Sequence, residues 1–204
     1  EREAQLVQLA ASLKGRLTWV AGLMDLLERV VRDSATAATS LALMALIEHG
    51  DRPRFDAMIG DVCRNWLARR WESSLINLTQ GLRRGTVPAP LAAAMEEALQ
   101  RTSHEHQAAT ILAALALRAP VDFRAVVPRA VARDLSFVCL PVVYEFLHRQ
   151  RQDLLGPCLG DSVVTGRFAT GKTRWLLPFS DGFFRWTPQQ QALYARQLTR
   201  ITHD

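Results

Sequence analysis

The segment Thr36-Ala37-Ala38-Thr39-Ser40-Leu41-Ala42-Leu43-Met44-Ala45-Leu46 returns in altered form 71 residues later, from Gln107 to Leu117. Identities fall at Ala37-Ala38-Thr39 against Ala108-Ala109-Thr110, then at Leu41/Leu112, Ala42/Ala113, Ala45/Ala116 and Leu46/Leu117. Each copy is followed by a short break, His49–Pro53 or Ala119–Asp122, and then by a helix led by Phe55 or Phe123. A fixed period of this kind constrains a fold more than any local propensity. Each unit is one supersecondary piece that buries its apolar face only by stacking on the next.

An offset of 71 is about two units of 35, and an intermediate unit can be read. Trp71–Leu78 forms its first helix, Gly81–Gly85 its turn, and Pro88 opens a second helix running to Arg101. A further unit starts near Asp134, with one helix over Phe137–His148 and a short partner over Leu154–Leu159. Residues 3–14 and 17–32 make an opening pair. Apolar spacing inside these segments is helical, as in Leu23, Leu26, Leu27 and Val30, and in Leu91, Met95, Ala98 and Leu99. Ser34 and Ser103 read as N-caps, and Gly50 and Gly85 as C-terminal stops. Pro53, Pro88 and Pro120 suit helix starts, whereas Pro128 and Pro141 fall inside helical patterns and predict a kink or a nearby boundary.

These readings predict an all-α chain, an α-solenoid of stacked antiparallel helix pairs. On Ala37–Leu46, Ala108–Leu117 and the helix pairs that follow them, the chain resembles HEAT-like repeats of the armadillo/HEAT class. The resemblance implies about four to five repeats over residues 1–159. Tetratricopeptide repeats have a similar length, but their Trp, Gly and Tyr pattern is not evident here.

Composition agrees with helices, since Ala and Leu dominate the apolar residues. No stretch approaches the roughly 18 apolar residues of a membrane span. The longest candidate, Ala35–Ile47, is interrupted by Thr36, Thr39 and Ser40. The chain opens Glu1-Arg2-Glu3-Ala4, with neither a secretory signal nor an initiator Met, so it reads as a piece of a longer cytoplasmic protein. Cys63, Cys139 and Cys158 lie in apolar contexts without CxxC spacing and read as reduced core residues. His104-Glu105-His106 places alternate residues on different sides of a helix start, which is a poor metal site. We expect no metal, no cofactor and no catalytic residues.

Charge is uneven. The formal net charge of +5 lies entirely in residues 101–204. After Leu159 the composition changes to GDSVVTGRFATGKTRWLLPFSDGFFRW, and the last 45 residues hold 7 of the 15 aromatics. Residues 160–186 are expected to form a basic, aromatic loop or small β-hairpin, with Val163–Thr165 and Trp175–Leu177 as candidate strands. The candidate partner-binding residues are Arg167, Lys172, Arg174, Trp175, Arg185 and Trp186, because Arg and Trp are favoured at binding hot spots. The alternative is that the aromatics fold back as a cap over the apolar end of the solenoid. Residues 187–204 should form a last helix packed on the repeats. Thr187, Pro188 and Gln190 make its capping box, and Leu193, Tyr194, Leu198 and Ile201 its apolar face.

Gly166-Arg167-Phe168-Ala169-Thr170-Gly171-Lys172-Thr173 matches the phosphate-loop pattern GxxxxGKT. In that pattern the backbone around Gly166 and Gly171 would cradle phosphates, Lys172 would reach them, and Thr173 would help hold magnesium. The context is wrong, because Pro178 falls where the following helix should run and too little chain remains for a parallel sheet.

The functional reading is a non-catalytic scaffold or protein-interaction module with a protein partner. The alternative is nucleic-acid binding through the basic second half, in the manner of the HEAT-like DNA glycosylases that cradle duplex DNA. Nucleotide binding at Gly166–Thr173 ranks third.

Overall fold

The computed structural model describes residues 5, 22–33, 39, 42–46, 52–159, 164–169 and 185–201. The described residues are mostly helical, with no strand among them. The helices are α1 (Leu23–Asp33), α2 (Arg52–Ala68), α3 (Glu72–Gly81), α4 (Ala89–Arg101), α5 (Glu105–Arg118), α6 (Pro120–Arg133), α7 (Pro141–Gln150) and α8 (Pro188–Ile201). Two 3-10 helices, Leu135–Cys139 and Gln152–Cys158, flank α7. Residues 39 and 42–46 are also helical. The chain divides into two compact units, one comprising residues up to Arg101 with Ala113–Asp122, the other Thr102–Leu112 with Phe123 onward.

In the first unit α2, α3 and α4 pack on one another and α1 packs on α2. On α2, Met58, Ile59, Val62, Cys63 and Trp66 are buried, which is one helical stripe. On α4 the expected face Leu91, Met95, Ala98 and Leu99 is fully buried. Burying each large member of such a stripe contributes about 1.5–3 kcal/mol. Burial puts Cys63 and Cys158 out of reach of oxidants, and it pushes both thiols up to about 12.

Helix α2 ends in a Schellman turn. Trp71 N–H donates to the Trp66 carbonyl at 2.9 Å, and Arg70 N–H to the Leu67 carbonyl at 3.2 Å. The left-handed position in that turn, with φ of 60°, is held by Arg70 rather than glycine. An L-residue there costs about 1 kcal/mol. Arg70→Gly is therefore expected to stabilise the chain by about 1 kcal/mol, read as a rise in thermal midpoint of about 3 °C by calorimetry. A midpoint that falls would show the Arg70 side chain to matter more than its backbone.

The second unit is built on α7 and the two 3-10 helices that pack against it and each other. Phe123 meets Phe146 edge to face at 5.1 Å, and Phe137 meets Phe168 at 4.9 Å. The sequence expected one helix over Phe137–His148. Pro141 instead ends the 3-10 turn and opens α7 as its first residue, while Pro128 is accommodated inside α6. Leu154–Leu159, expected as a short helix, lies in the second 3-10 helix and its end.

Burial aligns the two similar segments in a different register from the one the identities suggest. Residues 42–46 bury their first, second, fourth and fifth members, and residues 111–115 bury the same four. Thr39 and Ala108, the buried residues three places before them, are likewise 69 apart, not 71. At the 71-residue offset Leu46, 0% exposed, would match Leu117, 57% exposed. Two residues turn a helix by about 200°, so letter identity and burial pick opposite faces. The same burial pattern stands at residues 75–79 and again at 91–95, as it does on amphipathic helices in general.

At the start of α5 the hydroxyl that organises the turn belongs to Thr102, not Ser103. Thr102 Oγ1 accepts from His104 N–H at 3.1 Å and donates to Gln107 Oε1 at 2.6 Å. Gly85 has φ of 79° but stands in the loop after α3, four residues beyond its end, so it does not stop that helix. Ser34, Gly50 and residues 3–4, 6–14 and 17–21 lie outside the described residues.

Candidate functional site

Helix α6 ends at Arg133, and Asp134 turns the chain into the first 3-10 helix. Its backbone is extended, and its carboxylate Oδ1 accepts from Ser136 N–H at 3.0 Å and from Ser136 Oγ at 2.5 Å. An Asp at a helix start does this for a local reason, since the amides there have no partner inside the helix. The other oxygen, Oδ2, accepts from Arg167 Nε at 2.9 Å. Arg167 Nη1 in turn donates to the Thr102 carbonyl at 2.9 Å. The guanidinium carbon stands 5.2 and 5.3 Å from the ring centres of Phe137 and Phe168. Ser136 Oγ completes the node by accepting from Phe168 N–H at 3.1 Å.

Gly166 makes this arrangement possible. Its φ is 139°, and a Cβ there would collide with Asp134 Oδ1 and lie 2.5 and 2.8 Å from Ser136 Oγ and Cβ. Burial raises the Asp134 carboxyl, but the hydrogen bonds from Ser136 and Arg167 outweigh it and hold the group below its ordinary range.

This node forms one end of a groove of about 880 Å³. The last turns of α6, the second 3-10 helix and the loop at Gly166 surround it. Pro128, Val131, Ala132, Leu135, Leu154 and Pro157 give its apolar walls, with Arg133 and Asp153 among its charges. Asp153 is held by Arg151, whose Nε and Nη2 donate at 2.9 and 2.7 Å.

Of the expected binding residues, Arg167 lines the groove but its head group is engaged by Asp134 and Thr102. Trp186 is buried and packs edge to face on Tyr194 at 5.3 Å, so it is a packing residue rather than an exposed contact. Arg185 is exposed. Lys172, Arg174 and Trp175 lie outside the described residues, as do Val163, Trp175–Leu177, Gly171 and Thr173.

Of the phosphate-loop match, only Gly166–Ala169 is described. Val164 and Thr165, the described residues before it, are not a strand. The neighbour of Gly166 is a carboxylate, which repels phosphate. Gly166 is thus explained by close approach to Asp134 and Ser136.

The capping box of α8 stands as the residues predict. Thr187 N–H donates to Gln190 Oε1 at 2.9 Å, and Gln190 N–H to Thr187 Oγ1 at 3.2 Å. Its expected apolar face does not hold. Gln190 and Gln197 are buried, Leu193 and Tyr194 only partly so, and Leu198 is 42% exposed. Gln190 is drawn inward by a use the spacing cannot show, since its Nε2 donates to the Gln152 carbonyl at 2.8 Å.

Sequence reasoning missed Asp134, Ser136, Thr102 and Arg133. An Asp followed two residues later by Ser, just after a helical run, signals a cap. Nothing local signals that Arg167 will be its partner. His104, Glu105 and His106 are all exposed, and among the described residues no three metal-ligating side chains come together. No helix among them is long and apolar enough to cross a membrane. Comparison with protein-family models, with curated proteins and with solved structures gives no match. The site is therefore classed by geometry, as an open groove with apolar walls and an ion-paired end.

Proposed function

We propose that this chain is a non-catalytic scaffold, a helical-repeat module that binds a protein partner. The single observation that carries the reading is the groove between α6 and the second 3-10 helix. It is an open concave surface lined by aliphatic and proline side chains, of which Pro128, Leu135 and Leu154 are half-exposed and Ala132 and Pro157 exposed, the kind of wall on which partner side chains settle. Its rigid end, where Arg167 is held by Asp134 and Thr102, offers a preformed shape at little cost in ordering. We further read the scaffold as an α-solenoid of HEAT-like helix pairs. The return of Ala37–Leu46 in altered form at Ala108–Leu117 supports that reading.

The test is photocrosslinking from a reactive group at Ala132, which is exposed in the groove wall. The expected result is one protein adduct that excess unmodified chain competes away and excess Leu154→Arg chain does not. Equal competition by Leu154→Arg places the adduct outside the groove and overturns the reading. Absence of any competed adduct overturns it too.

A further inference from the structure

Resting on the reading that the groove holds a protein segment, we propose that its occupant is an amphipathic helix of the partner, carrying an acidic side chain that meets Arg133. Charge complementarity supplies the first half of the argument. Four charged residues line the groove, Arg133, Asp134, Asp153 and Arg167. Asp134 and Arg167 answer each other at 2.9 Å, and Asp153 is answered by Arg151 at 2.7 Å. Arg133, the exposed last residue of α6, is the lining charge left without an ion-pair partner among the described residues. An occupant with a carboxylate placed against it neutralises that end. An occupant with a cation there is repelled.

Backbone satisfaction supplies the second half. Two of the walls, α6 and the second 3-10 helix, are helical, and a helix has no edge along which an extended segment can pair. Asp134 N–H donates to the Ala130 carbonyl at 2.9 Å, and Leu159 N–H to the Gly156 carbonyl at 3.2 Å. No strand edge stands among the described residues to pair with an extended segment. An extended peptide would bring its backbone polar groups against Val131, Leu135 and Leu154 with nothing to bond. A helix arrives with those groups already satisfied. It presents apolar side chains at i, i+3, i+4 and i+7 to a groove of this shape.

A random peptide library displayed against the full chain tests this. Selected peptides are expected to share apolar residues at helical spacing beside an Asp or Glu, and to gain helical circular dichroism on binding. Arg133→Glu should weaken them about fivefold or more, and a peptide with its acid changed to Lys should recover on that variant. Arg133 is exposed, so the variant should fold like the parent. Peptides that ignore Arg133→Glu, or that lack helical spacing, overturn the helix proposal while leaving the groove reading in place. Peptides that bind the groove-filling Ala132→Trp chain equally well overturn the groove reading itself. A duplex oligonucleotide that binds in the groove and is lost on Arg133→Glu overturns the helix proposal in favour of a phosphate backbone.

Discussion

Gly166→Ala should be the most damaging small substitution in the second unit, with a loss of about 3 kcal/mol. Two costs act together. The backbone at φ of 139° is open to glycine and strained for alanine. The added methyl would also overlap the Asp134 carboxylate and crowd Ser136 at 2.5–2.8 Å. Neither neighbour can give way cheaply. Asp134 holds two hydrogen bonds from Ser136 and one from Arg167, and Ser136 Oγ also accepts from Phe168 N–H. Relief of the clash therefore breaks the node. Because Gly166, Asp134 and Arg167 all line the groove, the mouth should deform as stability falls. Thermal unfolding should show a midpoint lower by about 9 °C, at 2–4 °C per kcal/mol for a chain of this size. A loss below about 1 kcal/mol would mean that the loop at Gly166 relaxes freely, and would remove it as a support of the groove.

Asp134→Asn should cost about 2 kcal/mol at neutral pH, and the cost should depend on pH in a definite sense. The amide can still accept from Ser136 but carries no charge for Arg167, which is left partly buried beside Phe137 and Phe168. The Asp134 carboxyl titrates below its ordinary value in the folded chain. A group depressed on folding contributes stability that is complete above its unfolded pKa of about 3.9 and is lost as pH falls through the folded value. The gap in stability between parent and Asp134→Asn should therefore be constant from about pH 7 to pH 5 and narrow below about pH 4. Denaturant unfolding at several pH values reads this directly. A gap that widens on acidification would contradict the ion pair as the source of the depression. Arg167→Met should reproduce most of the loss at pH 7, and the double variant should cost clearly less than the two single losses together.

How much was legible differs from element to element. The capping box of α8 was fully readable, because Thr187 and Gln190 lie three residues apart and the backbone between them has one way to turn. The buried face of α4 was readable for the same kind of reason, since Leu91, Met95, Ala98 and Leu99 are its large apolar members. The face of α8 was not. Leu198 points outward while Gln197 is 1% exposed, because what surrounds α8 includes the Gln152 carbonyl that Gln190 reaches. The start of α5 was misread by one residue, since Ser and Thr stand side by side and only the position of Gln107 chooses Thr102. The candidate site was half legible. Arg167 was singled out for its charge, but its carboxylate partner lies 33 residues earlier and its carbonyl partner 65 residues earlier.

The sequence by itself determined the helical character of the chain and the approximate bounds of most of the described helices. These follow from interactions within a turn or two of chain, namely apolar spacing, caps and the limits of proline and glycine. Only the tertiary structure decided which face each helix buries, what Gly166 is for, and where Arg167 spends its charge. A helix turns about 100° per residue, so a slip of two letters exchanges inside for outside without altering local propensity. A charged side chain is likewise free or engaged according to neighbours that the chain brings from far away. The groove between α6 and the second 3-10 helix exists only once those neighbours have met.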